Sequence, residues 1–217
     1  MSAHRQEVSS QPRRGPFEDI SFFDDFAGYP DGNLVGRGLW IAATAPYPSL
    51  LVHTHTVIGV GGEERIASVD FGAMNLDLTR PWSFGMTVAY NGPAPGPGSE
   101  RVCFVLIGDD FGPQNAVVID INGTSGGNNH AYVSLVDDLG NTLDEVVPFT
   151  FGVPHLVEIT WDGALHRAFV DGVQVNAGVL RNPSTITLKQ TSADILGDAG
   201  AEDWVIHSYQ FAGKIPA

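Results

Sequence analysis

Two Asp-Gly pairs nine residues apart, Asp162-Gly163 and Asp171-Gly172, constrain this chain more than any other feature. Each is flanked by alternating apolar residues: Val157, Ile159 and Trp161 before the first, Ala168 and Val170 before the second. Alternation with period two places one set of side chains on one strand face, and Asp-Gly favours the positive φ of a tight hairpin turn. The block therefore predicts three antiparallel strands, over 155–162, 165–171 and 173–177. Glycine and proline supply 26 and 14 of the 217 residues, so the same punctuation recurs along the chain. No segment sustains an apolar stripe at 3.6-residue spacing.

Further strands are expected over 20–26, 49–60, 65–78, 82–90, 101–108, 116–122, 131–137, 142–149, 184–190 and 203–211. The run Asn91 to Ser99, with three prolines and three glycines, cannot be strand or helix. About a dozen short strands joined by turns predict an all-β antiparallel β-sandwich of the jelly-roll kind. Residues 17–217 form one domain with no internal boundary, preceded by a polar basic arm over 1–16.

Charge narrows the function. Eleven lysines and arginines stand against 25 acids, a net charge of −14. A phosphate backbone or anionic membrane surface would be repelled, so nucleic acid is excluded as a partner. No run approaches the 18 apolar residues of a membrane span, so no membrane insertion is expected. The opening residues hold no apolar secretion segment. The expectation is a protein that stays in the producing cell until lysis or leaves by a route not encoded there. The imbalance is also uneven, with Arg5, Arg13 and Arg14 making the arm basic before an acidic body. That pattern suggests an assembly arm docking on other virion proteins or on copies of the chain.

Glycoside hydrolysis needs two carboxyl groups about 5 to 9.5 Å apart, and positions i and i+2 on a strand meet that spacing at about 6.6 Å. None of the 25 acids has another two positions away. Only a cross-strand pair would serve, so no catalytic residue is assigned and the chain is expected not to be an enzyme. Cys103, in an apolar run, reads as a small buried hydrophobe. His53 and His55 would share a strand face as a weak metal pair. Trp40, Trp161 and Trp204 read as core. Asp109, Asp110, Asp120 and Asn122 offer hard oxygen ligands for Ca²⁺, but their spacing follows no ligand motif, so no cofactor is assigned and calcium is the ion to test. Tyr47, between two prolines, offers a ring to stack on a sugar, and Asn128, Asn129 and His130, after a glycine-rich loop, offer hydrogen bonds.

The block 153–175 resembles the signature hairpin of laminin G-like domains in the concanavalin A-like lectin/glucanase superfamily. Phe23-Asp-Asp-Phe-Ala-Gly-Tyr-Pro-Asp-Gly-Asn-Leu-Val-Gly-Arg-Gly-Leu-Trp40 is similar to the first strand and Trp loop of such domains in phage minor tail proteins. Residues 203–211 resemble the last strand, which pairs beside the first. Glu-x-Asp-x-Glu, the glucanase motif of the superfamily, is absent. The resemblance implies a concanavalin A-like jelly roll and a non-enzymatic virion component, tail-associated or surface-decorating, that contacts host glycans. The alternative is a bacterial carbohydrate-binding module or lectin at the cell surface or outside the cell, and less so a glycan hydrolase.

Overall fold

The computed structural model describes residues 20–42, 48–59, 65–70, 76–95, 100–108, 114–122, 129–137, 139–181, 187–188, 190–195 and 203–214. Among them eighteen strands and no α-helix occur. In chain order the first nine are β1 (Ile20–Asp24), β2 (Gly32–Asn33), β3 (Trp40–Ile41), β4 (Leu51–His53), β5 (Thr56–Ile58), β6 (Arg65–Asp70), β7 (Leu76–Asp77), β8 (Trp82–Tyr90) and β9 (Glu100–Gly108). The second nine are β10 (Gln114–Asn122), β11 (His130–Val136), β12 (Thr142–Pro148), β13 (His155–Trp161), β14 (His166–Val170), β15 (Val173–Gly178), β16 (Thr187–Leu188), β17 (Gln190–Ile195) and β18 (Trp204–Gly213).

A nine-stranded sheet runs β15-β14-β13-β8-β18-β5-β4-β2, with β1 also paired to β18. A seven-stranded sheet runs β12-β11-β10-β9-β17-β6-β3, and β16 pairs β7 separately. Every pairing is antiparallel, including that of first strand with last. The all-β antiparallel sandwich expected from the turns is the fold observed.

The core is what the period-two pattern dictates. On β8, Trp82, Phe84, Met86, Val88 and Tyr90 are all buried, and β11 alternates buried Ala131, Val133 and Leu135 with half-buried His130, Tyr132, Ser134 and Val136. Cys103 is among the buried residues. Trp40 from the seven-stranded sheet reaches Tyr209 and Phe22 of the other, with ring centroids 5.3 and 6.2 Å apart. Trp204 is fully buried, while Trp161 is half-buried and stacks on His166 at 4.4 Å. The edges β12 and β15 close on each other, where Asn176 Nδ2 donates to the Asp144 carbonyl at 3.0 Å. At the end of β15 the Cα of Gly178 faces Leu143 so closely that a Cβ would stand 2.5 Å from its Cδ2.

Asp24 is the polar centre of the opening segment. Buried at 9% exposure, its carboxylate accepts from the Trp40 indole N–H and the Tyr29 hydroxyl, both at 2.7 Å, and from the Phe26 N–H at 2.8 Å. Burial, reinforced by the hydrogen bond to Asp24, pushes the Tyr29 phenol well above its ordinary range.

Asp137 does the same for the β11–β12 hairpin. Burial raises its carboxyl, but donors from Asn141, Arg181 and Leu139 outweigh that and hold it below the usual carboxylate range. A depressed carboxyl stabilises the fold above its unfolded-state value and loses that contribution as pH falls through the native one. Acid should therefore loosen this hairpin only as pH falls below the usual carboxylate range. A two-dimensional NMR titration is expected to place the Asp137 midpoint beneath that range, and in Asp137→Asn the matching part of the acid-unfolding curve should vanish.

Turn chemistry accounts for most strand boundaries. Asp171 and Gly172, at φ +51° and +77°, form the two-residue turn their identities demand between Val170 and Val173. The first Asp-Gly pair opens a longer turn, in which Asp162 Oδ1 accepts from the Ala164 and Leu165 N–H groups. Hydrogen bonds from Arg167 and then from those two amides hold the Asp162 carboxyl at about 2.

One strand expectation fails. The run 49–60 is broken by a turn at Thr54-His55, both residues having positive φ, +49° and +62°. His53 and His55 are thus not on one strand face: His53 ends β4 against Asp31 at 3.4 Å, while His55 sits in the turn. L-residues in this region cost about 1 to 2 kcal/mol each, more so when β-branched. Replacing Thr54-His55 by Asn-Gly is expected to stabilise the protein by about 1 to 2 kcal/mol, read from the denaturation midpoint.

Candidate functional site

The strand register assembles a site on the outer face of the seven-stranded sheet. Buried Val117 and Ile119 of β10 face the core, as do Ala131, Val133 and Leu135 of β11, so their alternating neighbours point away from it. Across that outer face one row of directly paired residues reads Val102, Asp120, Tyr132, Val146, from β9 through β10 and β11 to β12. The next row holds Val118, Ser134 and Asp144. His130 precedes Tyr132 by two residues and shares its face, opposite Pro148.

Val102, Asp120, His130, Tyr132, Val118 and Ser134 are all half-buried, and Val146 is 41% exposed. His130 Nδ1 is buried without a hydrogen-bond partner. The arrangement combines an aromatic ring, a carboxylate and an imidazole on a rigid sheet face. Paired residues lie about 5 Å apart and diagonal ones about 7 to 8 Å. Tyr132 therefore has Asp120 as its immediate cross-strand neighbour, and His130 lies within one diagonal step of Asp120.

Sequence reasoning singled out His130 and Asp120 for different chemistry, a sugar and a calcium ion. The structure brings them onto one face and adds Tyr132, which it missed. The missing signal was long-range. Tyr132 looks like any outward residue of an alternating strand until β10 and β12 are placed beside it.

Asn129 sits at the start of β11 with φ +85°, and its carbonyl accepts from the Phe149 N–H at 2.8 Å. Its side-chain Oδ1 lies 3.4 Å from the Phe151 N–H, bracing the following loop. Asn122 lies on β10 with its backbone opposite Glu100. Tyr47, Asn128, Asp109, Asp110, Arg5, Arg13 and Arg14 lie outside the described residues. Among the described residues, no three His, Cys, Asp or Glu side chains gather in a way that would hold a metal ion.

Three cross-strand acid arrangements among the described residues bear on hydrolysis, and in the first Glu100, paired with Asn122, stands one diagonal step from Asp120, about 7 to 8 Å away. On the outer face of the seven-stranded sheet, Asp120 and Asp144 are two strands and one residue pair apart, about 12 Å by strand spacing and rise. On the other sheet Glu158 pairs with Phe169, two residues from Asp171. Asp171 is already engaged: Oδ1 accepts from the Leu156 N–H at 2.9 Å and Oδ2 from His155 Nδ1 at 2.7 Å. His155 Nε2 lies 2.9 Å from the Thr150 nitrogen and 3.2 Å from the Thr150 carbonyl oxygen. His155 and Asp171 thus tie the β14–β15 turn to the loop before β13.

No family model and no curated protein sequence matches the chain. Solved structures do. The Emp47p carbohydrate recognition domain is 14% identical over 90% of this chain and 95% of its own, with a TM-score of 0.58. Bacillus licheniformis β-glucanase is 11% identical over 89% and 98%, with a TM-score of 0.57. A structure reported with endo-acting O-glycanases of the human gut microbiota is 10% identical over 88% and 98%, with a TM-score of 0.61. At such identities the likeness establishes architecture alone. That architecture is the concanavalin A-like lectin/glucanase fold.

Proposed function

We propose that the chain is a non-catalytic carbohydrate-binding domain whose site is the outer face of β10, β11 and β12 around Tyr132. The observation that carries this reading is the paired row Asp120, Tyr132, Val146 with His130 on the same face. A pyranose offers an apolar C–H face and a rim of hydroxyls. A tyrosine ring complements the first, and a carboxylate acceptor with an imidazole complements the second.

The fold relatives support the reading in kind, since one is a carbohydrate recognition domain and another a glucanase. They lend no support to the virion role suggested by the opening residues. The non-catalytic reading rests on the missing Glu-x-Asp-x-Glu motif and on two of the acid arrangements. Asp120 and Asp144 are spaced wider than the roughly 6.5 to 9.5 Å of inverting glycosidases. In the pair of Glu158 and Asp171, both Asp171 oxygens hold the turn in place.

A glycan array probed with the full chain tests the proposal. Binding is expected, with no oligosaccharide released from the bound glycan. An array without a hit would sink the binding role, and product release would sink the non-catalytic one.

A further inference from the structure

The outer face around Tyr132 points away from the core and has no need to be apolar, yet on its β12 side it is. Val146 and Pro148 lie two residues apart on β12, directly opposite Tyr132 and His130. Both are exposed, Val146 at 41%. Among the described residues, Val146 is the one large hydrophobic exposed on a strand of the seven-stranded sheet. Its exposed neighbours Thr142, Asp144 and Glu145 are polar, as edge strands generally are. Proline blunts such an edge, but valine does not. Threonine would serve the sheet as well at that position, being β-branched, and differs only in exchanging a methyl for a hydroxyl. The two side chains stand about 6.6 Å apart along β12 and about 5 Å from their partners on β11, a strip the size of a small acyl group.

We infer that this face, read as the carbohydrate site above, selects sugars carrying a methyl-bearing substituent, an N-acetyl or a 6-deoxy group. The substituent lies over Val146 and Pro148 while the pyranose stacks on Tyr132. A methyl group placed there exchanges water for apolar surface. A hydroxyl or hydroxymethyl in the same place gives up hydrogen bonds to water, and neither side chain holds a donor or acceptor to replace them. Hydroxyls are served at the other end of the ring, where half-buried Ser134 shares the outer face. No charge takes part, so salt has little bearing on the preference.

Matched oligosaccharides presented to the full chain test this. One arm sets N-acetylglucosamine trimers against their N-formyl counterparts, and the other sets fucose-terminated against L-galactose-terminated trisaccharides. The two arms distinguish an acyl methyl from a ring methyl. In at least one of them the methyl-bearing member should bind roughly fourfold tighter, the effect of burying one such group, at low and near-physiological salt alike. Val146→Thr should erase that margin, weakening the methyl-bearing member more than its counterpart, with the denaturation midpoint little moved. Equal binding in both arms, or array binding confined to glycans without a methyl group, in either case lost in Tyr132→Ala, would overturn the preference and leave the carbohydrate reading standing. A margin that survives Val146→Thr would overturn it too. Failure of every oligosaccharide here and on a broad array would remove both.

Discussion

Asp24→Ala is expected to lower the unfolding free energy by about 3 kcal/mol or more. The carboxylate serves three donors at once, the Trp40 indole, the Tyr29 hydroxyl and the Phe26 amide. Each buried donor left without an acceptor costs about 1 to 3 kcal/mol, and alanine supplies no substitute. The loss would also be felt in packing. Trp40 spans the sandwich, with its ring edge-on to Tyr209 and Phe22, so a freed indole loosens contacts between the sheets. Asn at this position keeps one acceptor but presents an amide to donors, and should cost less than alanine without being neutral. Urea titrations should show the midpoint falling in the order wild type, Asn, Ala, with the slope unchanged. An alanine variant as stable as wild type would mean that the three donors find water instead.

Tyr132→Ala is expected to weaken glycan binding by roughly 30-fold, about 2 kcal/mol, which is the scale of an aromatic hot spot. Folding should suffer little by comparison, because Tyr132 is half-buried on the outer face and not among the core residues. Tyr132→Phe keeps the ring and should retain most of the affinity. The split between binding and stability is the diagnostic. Parallel losses of both would make the tyrosine a packing residue.

The fold was legible from the sequence because its signals are local. Asp171-Gly172 demands its turn, alternation along β8, β11 and β13 demands a buried face, and the opening segment carries its own acceptor in Asp24. Where a turn uses residues that do not advertise it, the reading failed. Thr54-His55 holds positive φ without glycine or asparagine, steadied by the Thr54 N–H donating to Asp31 Oδ1 at 2.9 Å. The strand Gln190–Ile195 was missed for a related reason. Its polar sequence gives no apolar run, and it is a strand because β6 and β9 flank it.

The site was legible only in pieces. Asp120 and His130 stood out by residue type, but their common face depends on register between strands, and a one-residue slip would turn Tyr132 into the core. The large carboxylate count says nothing of place until the strands are laid side by side. Only then do Asp120 and Asp144 come onto one face of the seven-stranded sheet.

The most direct test maps binding onto the two sheets. Amide chemical-shift changes on adding a glycan that binds should centre on β10, β11 and β12, with Asp120, Tyr132 and Val146 among the largest and the outer face of the nine-stranded sheet, including Gln210 and Glu158, unmoved. Shifts centred on that other face, with Tyr132 unchanged, would contradict the site assigned here.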